Sequence, residues 1–477
     1  MPICGPTSSS SDLTAKRSSR QSRSRGGASP YRTAPREHFH SYSVGSSRGR
    51  RRCRIAARPR TQIIILSTSK FRLSSVSLRP EWTNLLCRTV LGCTRRLGVG
   101  GGELEMAETY QFGIEEEYFL VDAETKAVAI TRPDEFIAAV KAALGDQVTT
   151  EMLQAQIEVV TNPHVDIATA AAELKHLRQT VAEIAHRFGF AILASGTHPT
   201  GDWKTARPSP GARYDTIMDD LQLIGQRDLL CGLHVHVELP AGEDRVDIMT
   251  RMLPYLPLFV ALSTSSPFWQ SRCTGLKGYR LAAYDELPRT GVPELFRCSG
   301  EFEAYIDALT RAGAIEDSSY IWWAIRPSLK HPTLELRAPD SCTFVDDSIA
   351  IAALYRSLAR LLVRNPLTHR NITAVDRALI VENKWRAQRY GVHGTFVAPD
   401  RKGGASVTEL LEQVLEDVMP HAQALGCAAQ VRRCRAIVGG GTSADAQLAV
   451  YAAHEKKAGG ERALAAVNDW LATATLQ

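Results

Sequence analysis

The sequence of 477 residues lacks the cysteine spacings that mark zinc sites and redox motifs, because none of its ten cysteines forms a CxxC pair. No apolar stretch of eighteen residues follows Met106, and no secretory signal precedes it. We therefore expect a reduced, cytoplasmic protein that has no membrane partner. Neither a GxxxxGKS/T loop nor a GxGxxG loop after a strand occurs, so a P-loop fold and a dinucleotide-binding fold have no support.

Acidic residues are scarce in the first part of the chain. Residues 1–105 contain 20 Lys+Arg and 5 Asp+Glu of the totals of 57 and 51, which leaves 37 and 46 in residues 106–477. The net charges of the two parts are therefore +15 and −9. The Ser/Arg-rich, low-complexity leader predicts disorder rather than a packed fold, and an organelle transit peptide or an RNA-binding arm is an alternative for it.

The end of this leader suggests a different origin for it. Residues 98–102 are Gly-rich and are followed by ELEM at 103–106, which is typical of a translated ribosome-binding site just before a start codon. We hypothesise that Met106 is the true start and that residues 1–105 are a gene-model artefact. The acidic body then has no reason to bind nucleic acid, and an intact native mass that begins before Met106 would refute the hypothesis.

The body, residues 106–477, mixes strand-like and helical patterns and contains no Ser/Gly-rich linker, which predicts a single α+β catalytic domain. Period-two alternation begins at Tyr110, and further strand-like segments lie at 152–160, 190–195, 231–239 and 332–338. Helical spacing occurs at 133–144, 166–188, 246–264, 301–312, 346–363, 406–418 and 445–454. Segments 196–215 and 270–300 are predicted to be long, ordered loops.

Several of these strands place acidic or imidazole side chains on one face and aliphatic side chains on the other. Segment 232–239 alternates in this way, and so do the strands that contain Glu115, Glu117, Glu158 and Glu335. Together the strands predict one polar concavity that these four glutamates line. Carboxylates brought so close together repel one another unless cations or protons neutralise them. Oxygen ligands with one or two imidazoles and no thiolate favour Mg²⁺ or Mn²⁺.

Each strand alone has a simpler interpretation. Alternating charge is typical of a solvated strand face, HxH by itself is weak support for a metal, and the GIEEE segment also fits a charged edge strand. The joint occurrence of the strands favours the site. The basic residues of the loop at 272–280 either recognise phosphate or carboxylate groups or belong to a solvated loop. Asn383, Arg386 and Arg389 fall along one helical stripe, which faces either a ligand or water.

Six segments, in this order, resemble the glutamate-cysteine ligase type 2 family of bacterial carboxylate-amine ligases. They are FGIEEEYFLVD at 112–122, QAQIEVVTNP at 154–163, GLHVHVELP at 232–240, SSPFWQSR at 265–272, TLELRAPD at 333–340 and ENKWRAQRYG at 382–391. The resemblance covers nearly all of 106–477 and none of 1–105. It implies a glutamine-synthetase-like fold, in which a curved, largely antiparallel sheet flanked by helices forms an active-site funnel for ATP, divalent cations and amino acid.

The resemblance also implies roles for individual residues. The metal-binding set is Glu115, Glu117, Glu158, His234 and Glu335, while Arg337 and Glu335 are the catalytic residues. Arg337 is expected to stabilise the transferring phosphoryl group. His236, Arg272 and Arg280 are expected to bind nucleotide or substrate. The third acid of GIEEE, Glu116, leaves the ligand assignment uncertain by one position.

The activity implied by the resemblance is an ATP-dependent ligation through an acyl phosphate. It converts L-glutamate, L-cysteine and ATP to γ-glutamylcysteine, ADP and phosphate, with Mg²⁺ or Mn²⁺ as the metal. A ligase for a different amine acceptor, a Zn²⁺-dependent hydrolase that uses His234, His236 and a carboxylate, and a non-catalytic nucleotide-binding relative are the alternatives. The expected partners are small-molecule substrates, and a homodimer is weakly favoured.

Overall fold

Strand β1, Phe112–Asp122, occupies the middle of the sheet in the computed structural model, which describes residues 109–477. The expected leader at 1–105 and the hypothesis about Met106 lie outside the described residues. The described strands are β1 Phe112–Asp122, β2 Val148–Thr150, β3 Gln156–Val160, β4 Phe190–Leu193, β5 Leu233–Glu238, β6 Phe268–Trp269, β7 Arg272–Cys273, β8 Thr290–Gly291, β9 Trp322–Trp323, β10 Ile325–Pro327, β11 Thr333–Leu336, β12 Thr395–Val397 and β13 Gly404–Ser406.

Seven of these strands form one antiparallel sheet. Its order is β10-β11-β5-β1-β3-β2, and β4 pairs with the C-terminal end of β1. The remaining strands form two-stranded pairs, of which β8–β9 is parallel. The sheet and the helices around it confirm the expected α+β class with a largely antiparallel sheet.

The helices account for most of the rest of the described chain. They are α1 Asp134–Leu144, α2 Ile167–Arg187, α3 Ala212–Leu221, α4 Leu223–Gln226, α5 Arg245–Met252, α6 Leu256–Ser263, α7 Tyr279–Tyr284, α8 Ser299–Arg311, α9 Val345–Arg364, α10 Ala374–Tyr390, α11 Val407–Ala424, α12 Ala428–Gly440, α13 Ser443–Ala458 and α14 Gly460–Ala474. Helix α3 overlaps segment 196–215 and helix α7 lies within segment 270–300, so the prediction that these segments are loops was wrong there. The two helices have only ten and six residues, which is too short for a period to stand out.

Helix α9 is the central helix of the molecule. Fifteen of its twenty residues are buried, including Leu354 and Tyr355, so it packs on nearly all sides rather than along one stripe. The hydroxyl of Tyr355 donates to the carbonyl of Leu334 at 3.2 Å, which ties α9 to strand β11. Helix α9 therefore covers the apolar face of the sheet and leaves the opposite face for polar residues.

The predicted helix at 246–264 is interrupted. A short 3-10 helix, Leu253–Tyr255, separates α5 from α6, and Pro254 and Pro257 lie at the starts of the two segments that follow α5. Proline cannot donate the backbone hydrogen bond that a continuous helix needs. Residues 245–263 are long and apolar enough to cross a membrane, but 83% of the apolar window is buried inside the protein, as in the core helix of a globular protein.

We predict that stability depends strongly on the packing of α9. Leu354→Ala removes a fully buried side chain and should lower the free energy of unfolding by about 2–5 kcal/mol. The matched control is Leu367→Ala, at a side chain that is 86% exposed, and it should change stability by less than about 0.5 kcal/mol. Denaturant unfolding of both variants measures the difference. Equal effects would contradict this description of the core.

Candidate active site

Strand pairing brings the predicted polar residues together on one face of the sheet. In the register of β1 with its neighbours, Glu115 lies opposite His234 and Glu117 lies opposite Glu158. On the next strand pair, Glu335 lies opposite His236. Directly opposed residues on an antiparallel pair point to the same face. The sheet therefore presents acids and imidazoles from four adjacent strands to one cavity.

Glu116 points to the other face. Its side chain is fully buried behind the sheet, where it pairs with Arg178 of α2 at 2.8 Å. Because side chains alternate along a strand, Glu115 and Glu117 then both face the cavity. The uncertainty of one position within GIEEE is thus resolved in favour of Glu115 and Glu117 as the cavity-facing acids.

Two groups of potential metal ligands share His234. The first consists of Glu115, His234 and Glu335, and the second of Glu117, Glu158 and His234. Within each group the donor atoms lie within 4.8 Å of one another. The Nδ1 atom of His234 is 3.3 Å from Glu115, while its buried Nε2 atom has no hydrogen-bond partner among residues 109–477. A buried nitrogen without a partner is costly unless a ligand satisfies it.

The protonation of this cluster also fits cation binding. Burial, followed by repulsion from Glu151 and Glu115, raises the pKa of Glu158 well above its ordinary value. Burial and repulsion from Glu117 raise the pKa of Glu151 to about 8. Without a cation, protons therefore reduce the repulsion. Carboxylates and imidazoles without a thiolate are the donors that suit Mg²⁺ or Mn²⁺, so the residues present fit the expected metal.

Glu335 is held between two arginines. Its carboxylate accepts from Arg326 Nε at 2.7 Å and from Arg337 Nη1 at 2.5 Å. Burial opposes ionisation, but the two arginines, together with His236, outweigh it and hold the pKa of Glu335 well below its ordinary value. Arg337 also donates to the hydroxyl of Tyr284 at 3.2 Å. The Arg337 guanidinium is thereby held in the cavity beside one of the two ligand groups.

Arg280 is a buried cation that forms no ion pair with any carboxylate of residues 109–477. Its guanidinium donates to the carbonyl of Pro339 at 3.1 Å, and its Nε atom has no hydrogen-bond partner among the described residues. Gly232 makes room for this arrangement: a Cβ atom there would lie 2.7 Å from Arg280 Cζ and 3.0 Å from His234 Nε2. The backbone N–H of Gly232 donates to Glu117 at 2.5 Å. A buried arginine that lines a cavity and forms no ion pair with another described residue is suited to an anionic ligand.

These side chains line one cavity of about 690 Å³. The predicted site residues that line it are Glu115, Glu117, Glu158, His234, His236, Arg280, Glu335 and Arg337. Arg272 is not brought to the cavity, because strand β7 is exposed at the surface. The stripe on α10 does not line it either, since Asn383 and Arg386 bond to the backbone of the β12–β13 hairpin.

Several charged residues of the cavity were not predicted, and Arg326, Glu151 and Asp228 are three of them. Arg326 lies on the three-residue strand β10, and Glu151 and Asp228 lie in connections between elements, where no periodicity marks a residue. Burial and repulsion from Glu117 raise the pKa of Asp228 to about 7. The spacing of Glu151 and Glu158 in the sequence indicates that they lie close together only when the turn that connects β2 to β3 is known.

Comparison with known proteins decides the family. The family described as Glutamate-cysteine ligase family 2 (GCS2) matches residues 111–466. The chain is 55% identical over 376 residues to a protein of Bradyrhizobium sp. (strain ORS 278) provisionally named glutamate–cysteine ligase 2, covering 79% of this chain and 90% of that one. A protein of the same name from Rhodospirillum rubrum is 43% identical and is covered over 96% of its length. The chain belongs to Glutamate-cysteine ligase family 2.

Solved structures are consistent with this membership at the level of the fold. A crystal structure of glutamate–cysteine ligase from Francisella tularensis in complex with AMP superposes with a TM-score of 0.58 at 12% identity, covering 78% of this chain and 89% of that chain. A bifunctional glutathione synthetase from Pasteurella multocida gives a TM-score of 0.54 at 14% identity, over 77% of this chain and 53% of that one. The family membership, rather than the fold, makes this glutamate–cysteine ligase family 2 protein an ATP-dependent carboxylate-amine ligase, and it disfavours the metal-dependent hydrolase.

We predict that Gly232→Ala lowers ligase turnover by about tenfold or more with little loss of stability. The added methyl group must displace the Arg280 guanidinium, and a misplaced charged group is costly in an active site. Gly403→Ala is the matched control, since a Cβ atom there meets nothing within 4 Å. ADP release and thermal unfolding measure both effects. Unchanged turnover in the Gly232 variant would contradict the assigned position of Arg280.

Proposed function

We propose that the protein activates the γ-carboxylate of L-glutamate with ATP and joins it to an amine, with L-cysteine as the first acceptor to test. The observation that carries this proposal is the pair of ligand groups that share His234, beside the Arg337 guanidinium in one cavity. The products are γ-glutamylcysteine, ADP and phosphate when cysteine is the acceptor. The names of the relatives support glutamate and cysteine as substrates.

The proposed metal is Mg²⁺ or Mn²⁺. Glu115, His234 and Glu335 would hold one cation, and Glu117, Glu158 and His234 would hold a second one. When bound, such a cation neutralises charge on the phosphates of ATP. Oxygen and nitrogen donors of this kind are consistent with the assignment, and the raised pKa of Glu158 gives it a direct test.

Arginines supply the remaining positive charge. In the first step the γ-phosphoryl group moves from ATP to the γ-carboxylate of glutamate, which forms an acyl phosphate and releases ADP. Arg337 and Arg280 lie in the cavity with guanidinium nitrogens that have no protein partner among the described residues, so they can stabilise the transferring group. The carboxylate oxygen becomes part of a good leaving group, and no protein nucleophile is needed.

In the second step the amine attacks the acyl carbon, phosphate leaves and the amine loses a proton. Two cavity carboxylates have a pKa near neutrality: Asp228 at about 7 and Glu151 at about 8. A general base works best when its pKa lies near the working pH. We therefore propose that one of these two carboxylates accepts the proton. The rate of the parent protein should rise with pH as this base ionises. Whichever of Asp228→Asn and Glu151→Gln abolishes this rise identifies the base.

The acceptor is the open part of the proposal, and one experiment addresses it. ADP release is measured with ATP, Mg²⁺ and glutamate while cysteine and a panel of other amines are added in turn. Release that depends on one amine establishes ligation and identifies the acceptor. Binding of ATP without amine-dependent turnover would reject every acceptor in the panel. Activity with Zn²⁺ and no need for ATP would favour the hydrolase instead.

We predict that Arg337→Ala reduces turnover by about 10²–10³-fold, or about 2.7–4 kcal/mol of transition-state stabilisation, as for the loss of one preorganised donor. Arg272→Ala is the control, because Arg272 is exposed and does not line the cavity. It should leave the rate of ADP release within about twofold of the parent. A loss below tenfold in the Arg337 variant would remove Arg337 from its proposed role.

We also predict that Mg²⁺ binding releases protons at pH 7. The pKa of Glu158 is raised, so its protonated form is favoured without a cation, whereas a cation binds the ionised form. Affinity for Mg²⁺ should therefore increase as the pH rises through the raised pKa of Glu158. Calorimetry in buffers of different ionisation enthalpy counts the protons, and Glu158→Gln should release fewer. A heat that does not depend on the buffer would contradict the prediction.

A further inference from the structure

A buried ion pair lies directly behind the metal-ligand strand. Glu116 and Arg178 are 0% and 1% exposed, and Arg178 Nη2 lies 2.8 and 2.9 Å from the two carboxylate oxygens of Glu116. Arg178 Nε donates to the same carboxylate at 3.1 Å. The hydroxyls of Tyr118 and Ser348 also donate to Glu116. Glu116 is therefore fully paired on the face of β1 that lies away from the cavity.

Arg178 also bonds to two other parts of the chain. Its Nη2 atom donates to the carbonyl of Cys342 at 2.8 Å, and its Nη1 atom donates to the carbonyl of Thr343 at 2.7 Å. A further bond at 3.0 Å reaches the carbonyl of Thr475, close to the C-terminus. Cys342 and Thr343 lie five and six positions after Arg337, the residue that follows strand β11. One guanidinium thus connects β1 to the segment that leaves β11.

This connection matters because β1 and β11 are not neighbours. Strand β5 lies between them in the sheet, so no backbone hydrogen bond within the sheet joins them directly. The first ligand group takes Glu115 from β1 and Glu335 from β11, and its geometry depends on the separation of these two strands. The second group takes its ligands from β1, β3 and β5 and does not depend on β11.

We propose that Arg178 is a positioning residue for the first ligand group, because it links β1 to Cys342 and Thr343 from behind the sheet and so sets the separation of Glu115 and Glu335. This inference rests on the proposed cation site. Groups behind metal ligands orient those ligands, and their loss typically weakens metal binding by about 10–100-fold. Loss of Arg178 should therefore weaken one cation site and leave the other almost unchanged.

The test is Mn²⁺ binding to the full protein without nucleotide, measured by the electron paramagnetic resonance signal of free Mn²⁺. The parent protein should bind Mn²⁺ at the Glu115–Glu335 group and at the Glu117–Glu158 group. In Arg178→Met we expect one site to weaken by about tenfold or more and the other to change by less than about threefold. Thermal unfolding gives the melting temperature of each sample, and the titration is done at a temperature at which every sample is folded.

A matched control separates positioning from general loss of stability. Arg251 is also buried, at 3% exposed, and donates to the carbonyls of Leu362, Thr368 and Asn365, but it does not line the cavity. Arg251→Met should lower the melting temperature and leave both Mn²⁺ affinities unchanged. Equal Mn²⁺ binding in the Arg178 and Arg251 variants would overturn the inference.

A second variant covers the case in which Arg178→Met does not fold. Arg178→Lys keeps the positive charge beside Glu116, but an ammonium group cannot reach Glu116 and the carbonyls of residues 342 and 343 together. It should still weaken one Mn²⁺ site selectively, and unchanged binding would reject the positioning role. A parent protein that binds no Mn²⁺ would instead refute the proposed cation site, so the two failures are distinguishable.

Discussion

Repulsion between buried carboxylates is the constraint on which the cavity depends. Glu115, Glu117, Glu158 and Glu335 come from three strands of one sheet and converge in a desolvated space, where like charges are costly. The protein meets this cost in two ways. Glu335 is ionised because Arg326 and Arg337 hold it, whereas Glu158 and Glu151 have raised pKa values. The part of the cluster that lacks arginines is therefore the part that most needs a cation.

The apolar face of the sheet makes this arrangement possible. Helix α9, fifteen of whose residues are buried, covers that face, and Glu116 of β1 pairs there with Arg178. Three consecutive glutamates consequently have two different functions. Glu115 and Glu117 face the cavity, while Glu116 holds the strand to the elements behind it. The alternation of a β-strand is sufficient to separate these roles.

The sequence was enough to predict the polar face because its spacing is local. Alternation within β1, β3, β5 and β11 identifies Glu115, Glu158, His234 and Glu335 before any contact is known. Residues in turns and on very short strands carry no such period, so Arg326, Glu151 and Asp228 were not predicted. Arg272 shows the opposite error of motif reasoning, since it lies in a matching segment but on an exposed hairpin. The break between α5 and α6 depends on prolines that a hydropathy period does not detect.

The central claim is that the cavity activates a carboxylate as an acyl phosphate, and transfer of labelled oxygen tests it most directly. Glutamate labelled with ¹⁸O in its γ-carboxylate is incubated with ATP, Mg²⁺ and hydroxylamine as the amine, and the released phosphate is analysed by mass spectrometry. The account predicts one labelled oxygen in phosphate for each amide bond formed, because the carboxylate oxygen leaves with the phosphoryl group. Amide formation with unlabelled phosphate, or no glutamate-dependent ADP release, would contradict it.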